Sequence, residues 1–228
     1  MAKFEVDIRS IAAPDHSIED RNQLFLAKLQ KTDVDEKWLL PLDGELKLKD
    51  TLGQLSDRKS ITKYLPVSVS GQLGFKFSGR NYIEDHYSYD DSITFKLNEN
   101  KYLLRSFIES VFVYFIASFG AYYASINSEK IALEIVKLKK SKMSFGEDDN
   151  LRFNLIWLHQ INYVDDLLFK RAFGITAEQA FERLNMQVEL CQKVNDGVLF
   201  GDQLDSCVDN IEDAIKLDEK YRALLGSV

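Results

Sequence analysis

Residues 110–128 read SVFVYFIASFGAYYASINS, and none of these side chains is charged. The length is close to the ~20 residues that a helix needs to cross a bilayer. However, Gly120 divides two patterns. Before it, apolar residues recur at helical spacing: Leu104, Phe107, Ile108, Val111 and Phe115. After it, larger residues alternate with small or polar ones as in a strand: Tyr122, Ala124 and Ile126. The stretch predicts a buried helix over about 102–117 and a buried strand over 120–126, rather than a membrane helix.

The same two periodicities predict the other elements. Strands are predicted at residues 3–9, 38–40, 72–78 and 92–98, and a hairpin of two strands is predicted at 188–200. Capping residues mark the ends of predicted helices at residues 17–32, 177–184 and 208–225. Residues 49–64 are polar and predict short helical pieces, whereas residues 131–142 fit either a helix or a strand.

These elements together predict the fold class. Strand–helix–strand sequences occur in both parts of the chain, beside adjacent antiparallel strands. We therefore expect an α+β fold with mixed or antiparallel sheets, packed helices and two split-βαβ-like halves. No stretch has the composition of a flexible linker, so residues 1–228 are expected to form a single domain, with possible halves 1–98 and 99–228.

Charge and cysteine content narrow the class of protein. The chain has 29 basic and 36 acidic side chains, a net charge of −7, which does not favour direct nucleic-acid binding and suits a basic partner. Cys191 and Cys207 are too few for a disulfide framework and are expected to be reduced thiols. The N-terminal residues lack the apolar core of a secretory signal, so we expect a cytoplasmic protein that makes no membrane contact.

The sequence lacks the common motifs of catalytic sites. The sequence has no glycine-rich phosphate loop, no GxSxG nucleophile motif and no zinc-ligand spacing, since His16, His86 and His159 are far apart. We therefore expect no cofactor, no metal and no enzymatic activity, and His159 is expected to be a hydrogen-bonded core residue. One alternative stays open: Asp33 before Glu45 and Lys47 resembles the ligand order of a magnesium-dependent nuclease.

The densest mixture of aromatic and acidic side chains lies in residues 82–91. Its candidate binding residues are Tyr82, Glu84, Asp85, Tyr87, Tyr89, Asp90 and Asp91. Tyrosines are frequent anchors in protein interfaces, and carboxylates speed the encounter with a basic partner. A solvated hairpin loop is the alternative. Residues 196–228 are also acidic, which fits either a second binding surface or the solvent face of an amphipathic helix.

Several segments carry a family resemblance. They are FGAYYASI at 119–126, NLIWL at 154–158, DGVLF at 196–200, and Asp209-Asn210 before the last helix, together with the opening strand–helix and Trp38. In these segments the chain resembles bacterial polymorphic-toxin immunity proteins, in particular the immunity protein 52 family. The resemblance implies a cytoplasmic, non-enzymatic protein that binds and neutralises a cognate toxin, typically a nuclease that a type VI secretion system delivers. It supplies no catalytic motif.

The resemblance and the charge lead to the same functional expectation. An acidic protein can be steered to the basic cleft of a nuclease and occlude it stoichiometrically. The expected partner is thus a cognate protein toxin, and the sequence assigns no oligomeric state. Two alternatives remain: the magnesium-dependent nuclease, and a structural or adaptor subunit of a phage or secretion apparatus.

Overall fold

The computed structural model describes residues 3–11, 18–34, 48–50, 59–64, 72–77, 90–98, 103–142 and 150–226. Within these residues the strands are β1 Lys3–Ser10, β2 Leu48–Asp50, β3 Lys59–Tyr64, β4 Gln72–Phe77, β5 Asp91–Asn98, β6 Tyr123–Ser128, β7 Ile161–Asp165, β8 Leu190–Val194 and β9 Gly197–Gly201. The helices are α1 Ile18–Leu29, α2 at 104–119, α3 Ala132–Lys142, α4 Asp166–Phe173, α5 Ala177–Leu184 and α6 Ile211–Leu225.

The strands form one sheet with β1 near its centre. In the described residues the sheet has nine strands in the order β2-β3-β4-β5-β1-β6-β7-β9-β8, and neighbouring strands are antiparallel. β5 and β6 flank β1, so they run parallel to each other and α2 connects them. β7 and β8 flank β9 in the same way, with α4 and α5 between them. These are two split βαβ units, and the α+β prediction is confirmed. The units span residues 91–128 and 161–201; the single domain over 1–228, with possible halves 1–98 and 99–228, stays a prediction.

Apolar side chains cover both faces of the sheet. On one face, Phe4, Val6 and Ile8 of β1 pack in a cluster with side chains of α1 and α2. On the other face, side chains of β7 and β9 pack with α4, α5 and α6. Over β1, however, the second face carries Glu5, Asp7 and Arg9, which are half-buried. The sequence alternation of β1 therefore leaves a polar strip on this face of the sheet.

The uncharged stretch forms the end of α2 and the strand that follows it, as predicted. Phe112, Phe115 and Phe119 are completely buried, and residues Ile108–Phe112 form a π-helical turn inside α2. Gly120 ends the helix with a positive φ of 64°, a conformation that glycine adopts without strain. In the described residues, no helix is both long and apolar enough to cross a membrane.

Other sequence predictions have mixed outcomes. The capping box of Thr176 and Gln179 and the closing Gly226 are confirmed. Residues 131–142, which fitted two structures, are helical. The helical pieces predicted for 49–64 are wrong where the chain is described, because β3 pairs with β4 and β2 pairs with β3, so both strands continue the sheet there. The strand predicted at 38–40 lies outside the described residues.

Helix α4 begins at Asp165, whose carboxyl group has a raised pKa. Asp165 caps the helix by accepting the Leu168 amide at 2.7 Å, and burial raises the pKa of its carboxyl to about 6, to which the nearby Asp196 and Asp166 also contribute. Because this pKa is higher than in the unfolded chain, ionisation of Asp165 lowers the stability of the folded protein as pH rises from about 4 to 6.

We expect Asp165→Asn to stabilise the protein at pH 7, since asparagine keeps the cap without the buried charge. After allowance for the partial exposure of Asp165, the gain in the free energy of unfolding should be about 1–2 kcal/mol above pH 6. It should vanish near pH 4, where the carboxyl is protonated. Urea denaturation of both proteins across this pH range measures it. A gain that is the same at pH 4 and pH 7 would show that the charge of Asp165 is not its cause.

Candidate functional site

A cleft with charged groups in its floor and largely apolar walls lies between the sheet and helix α3, with a volume of about 470 Å³. Its floor is formed by side chains of β1, β5 and β6: Glu5, Asp7, Arg9, Thr94, Ser125 and Asn127. One wall belongs to α3: Ala132, Ile135, Val136, Lys139 and Lys140. The opposite wall follows α3 in sequence: Leu151, Asn154, Ile156, Trp157 and His159. The volume falls within the range of about 300–1,000 Å³ that is usual for small-ligand sites.

The cleft follows from two sequence periods. Glu5, Asp7 and Arg9 are two residues apart, so they share the face of β1 that is opposite to its apolar core residues. The five residues of α3 that line the cleft have the spacing of one helical face, i, i+3, i+4, i+7 and i+8. This face is apolar in its first turns and basic in its last turn. The helix therefore lays Lys139 over the polar strip of the sheet.

Helix α6 fixes the opposite wall. The buried carboxylate of Asp218 accepts the Leu158 amide at 2.8 Å, and Arg222 donates to the Leu155 carbonyl at 2.6 Å. Gln160 donates to the carbonyls of Gln203 and Ser206 at 2.7 and 2.8 Å. Because backbone groups take part in each of these bonds, the wall is held in place independently of any ligand.

His159 and Lys139 meet at the base of the cleft. The Lys139 amine lies 3.4 Å from Nε2 of His159, and the Asn127 side-chain amide lies 3.2 Å from Nδ1. Burial, assisted by the charge of Lys139, holds the pKa of His159 well below its usual value, so the ring is neutral. If Lys139 donates to Nε2, the ring proton is on Nδ1, and the Asn127 amide can turn its otherwise unpartnered oxygen toward it. His159 is thus buried and hydrogen-bonded, as expected from the sequence.

The charges in the floor are mostly compensated. Arg9 donates to Oδ2 of Asp7 at 2.8 Å, while Oδ1 of Asp7 is buried and has no hydrogen-bond partner. Glu5 lies 3.9 Å from Lys96, and burial raises the pKa of its carboxyl. Lys139 differs, because within the described part of the chain no carboxylate oxygen lies within 4.0 Å of its amine. Burial lowers the pKa of this amine to about 8.

Asp90 and Asp91 correct the expectation of an exposed acidic loop. Both carboxylates are completely buried: Asp90 accepts two hydrogen bonds from Arg152 and one from Tyr122, and Asp91 pairs with Arg21 at 3.5 Å. They are structural anchors at the start of β5, because a buried carboxylate is stable only when it is paired. Because they are buried, Asp90 and Asp91 cannot act as exposed charges that steer a partner. The other candidates in this stretch, Tyr82, Glu84, Asp85, Tyr87 and Tyr89, lie outside the described residues and stay a prediction.

The remaining candidate groups do not form a site in the described residues. Asp33 is exposed after α1, and Glu45 and Lys47 lie outside the described residues. Of the C-terminal acidic residues, Asp202 and Asp218 are buried and paired with Lys220 and Arg222. Neither Cys191 nor Cys207 forms a disulfide. In the part that the structure describes, no group of three potential ligands is placed to hold a metal ion.

The cleft is the feature that sequence reasoning missed. The alternating charges of β1 predict a half-buried strand, but they do not show which element covers its charged face. Residues 131–142 fitted two structures, so the inward face of α3 was not defined. A helical interpretation of that segment would have placed Lys139 on the same face as Ile135, and this was the available signal.

Comparisons with known proteins give a likeness in fold. No protein-family model matches the sequence, and no curated protein is similar to it. Among solved structures, the chain is similar to the Pseudomonas aeruginosa T6SS protein PA0821, with a TM-score of 0.54 and 8% sequence identity. The match covers 98% of this chain and 72% of that chain. At this identity the likeness establishes the fold alone.

Proposed function

We propose that this protein is an immunity protein of a type VI or other polymorphic-toxin system, which neutralises a cognate secreted toxin by stoichiometric binding in the cytoplasm. The observation that carries the proposal is the likeness in fold to a T6SS protein over nearly the whole chain. The sequence segments that resemble immunity protein 52 support the same role. The net charge of −7 suits a basic partner such as a nuclease.

The chemistry of the cleft favours binding over catalysis. His159 is neutral and both of its ring nitrogens lie beside polar partners, so it is poorly suited to carry protons between a substrate and solvent. The rigid wall at 155–160 and the open polar floor suit recognition of a fixed shape. We therefore propose a non-enzymatic inhibitor.

Co-expression with the product of the adjacent gene tests the proposal. We expect that product to arrest growth by itself and this protein to restore growth in the same host. The purified pair should form a complex of fixed stoichiometry in size-exclusion chromatography with light scattering, and the intact mass of the toxin should be unchanged. A neighbouring product that is harmless, or a toxin that is cleaved or modified by this protein, would contradict the proposal.

Two variant sets in the same experiment address the alternatives. A Glu45→Ala variant that protects as well as the wild type argues against the magnesium-dependent nuclease, whereas magnesium-dependent plasmid cleavage that this change abolishes would establish it. Replacing Tyr87 and Tyr89 by alanine should speed dissociation of the toxin about tenfold if residues 82–89 are the anchor. Met186→Ala, at a highly exposed side chain elsewhere, is the control.

A secretion-apparatus subunit is the second candidate, because the structural neighbour is itself a T6SS protein. This role predicts that deletion of the gene reduces secretion. An immunity protein instead predicts that deletion leaves secretion intact and makes the cell sensitive to its siblings. Competition between the deletion strain and the wild type separates the two outcomes.

A further inference from the structure

The base of the cleft holds a cation, Lys139, that forms no ion pair within 4.0 Å in the described residues, although the charges of Asp7 and Asp218 act on it from further away. Arg9 is paired with Asp7, and Lys96 with Glu129 and Glu5. Lys139 has the neutral ring of His159 as its hydrogen-bond partner, at the long distance of 3.4 Å. An ammonium group carries three donors, so at least two of them are available to a bound group.

The surroundings of Lys139 define the shape of that group. Val136 on the same helix face and Ile156 and Leu151 on the opposite wall give the cleft an apolar side. A ligand that reaches Lys139 must therefore present an acceptor at one end and an apolar body behind it. The cleft volume of about 470 Å³ has room for a molecule of drug-like size.

The charge count favours a single negative charge. Asp7 and Glu5 are anionic groups of the same floor, and they would repel a phosphate dianion more strongly than a monoanion. One carboxylate matches one ammonium that lacks a close ion-pair partner, and it can accept two of the ammonium's hydrogen bonds.

We infer that the cleft binds a small carboxylic acid with an apolar body, whose carboxylate pairs with Lys139. This site goes beyond the proposed toxin inhibition and does not depend on it. The apolar body lies against Val136 and Ile156, and the carboxylate takes the donors that His159 leaves free.

Binding is linked to the proton of Lys139. The amine has a pKa of about 8 in the free protein, lowered by burial and Arg9 and raised by Asp7 and Asp218. Glu5, neutral His159 and the exposed Lys140 also line the cleft. A bound carboxylate favours the ammonium form and so raises this pKa. The free protein loses the proton between about pH 7 and pH 9, and affinity for the acid should fall about tenfold over that range.

The test uses the full-length protein and the probe pair 4-phenylbutanoate and 4-phenylbutanamide, which differ in charge and little in shape. Calorimetry should give a dissociation constant of about 1 mM or tighter for the acid near pH 7, and at least tenfold weaker binding of the amide. NMR of ¹³Cε-labelled lysine should show that the acid shifts the titration midpoint of Lys139 upward. Inorganic phosphate should bind more weakly than the acid.

Two variants on one helix decide the assignment. Lys139→Gln should reduce affinity for the acid at least tenfold, to that of the amide, while Lys137→Gln, at an exposed side chain of the same helix outside the cleft, should bind like the wild type; thermal unfolding confirms that both are folded. Lys139→Arg keeps the charge and should retain binding at high pH. Equal binding of acid and amide, equal losses in the two glutamine variants, or no binding of the acid at about 10 mM would each overturn the inference. Toxin neutralisation is measured separately, so the two proposals fail independently.

Discussion

Replacing Arg152 by methionine should lower the free energy of unfolding by about 3–5 kcal/mol, because it leaves a buried carboxylate without its guanidinium. The side chains of Arg152 and Asp90 are 3% and 0% exposed, and two guanidinium nitrogens donate to Oδ1 of Asp90 at 2.9 and 2.7 Å. Tyr122 donates to the other oxygen. Burial already raises the pKa of Asp90 in the wild type, against the opposing effects of Tyr122 and Arg152.

The loss should depend on pH in a defined direction. Without Arg152, the pKa of Asp90 rises further above its unfolded value, so the cost is largest when the carboxylate is ionised. The difference between variant and wild type should therefore shrink as pH falls and Asp90 becomes protonated. Urea denaturation at neutral and acidic pH measures both the size and the sign.

A double variant separates the ion pair from general packing. Changing Asp90 to leucine together with Arg152 to methionine removes both charges, and it should cost less than the sum of the two single changes, as for other buried pairs replaced by apolar residues. Lys193→Met, which breaks the exposed pair with Glu178, is the control and should cost about 1 kcal/mol or less. An Arg152→Met loss no larger than this control would contradict a structural role for the buried pair.

This pair also connects two functional candidates. Asp90 directly follows the tyrosine-rich residues 82–89, and Arg152 directly follows Leu151 in the far wall of the cleft. Arg171 supports this arrangement, since it donates to the Arg152 carbonyl at 3.2 Å and lies over the ring of Phe153 at 4.5 Å. A change at Arg152 therefore affects both candidate surfaces through stability, and binding tests should avoid it.

Local signals in the sequence were sufficient for much of the fold. Gly120 could be placed at a helix end because the apolar residues before it have helical spacing and those after it alternate as in a strand. The positive φ at Gly120 agrees with this prediction. The signal for the start of α5 was equally local, since both hydrogen bonds of its capping box join Thr176 and Gln179, which are three residues apart.

Pairing over long distances in sequence was the part that could not be predicted. Asp90 appeared to belong to an acidic loop because its partner, Arg152, is 62 residues further along the chain. Residues 59–64 are mostly polar and show no clear apolar alternation, yet they pair with β4 through the backbone. The cleft has the same origin, because its floor and its walls come from separate segments that only the folded chain brings together.

Phe112→Ala should cost about 3–5 kcal/mol of folding stability, the usual result of truncating a buried phenylalanine. Phe112 is completely buried in the cluster between the sheet and α2, with its ring centroid 6.1 Å from that of Phe107. Urea denaturation measures the loss, and Leu103→Ala at the start of the same helix, where the side chain is 73% exposed, should cost about 0.5 kcal/mol or less. A membrane helix would give the opposite pattern, since the wild-type protein would then partition into vesicles and Phe112 would face lipid rather than Phe107. A large loss at Phe112 with a small loss at Leu103 therefore identifies the uncharged stretch as one side of a packed core.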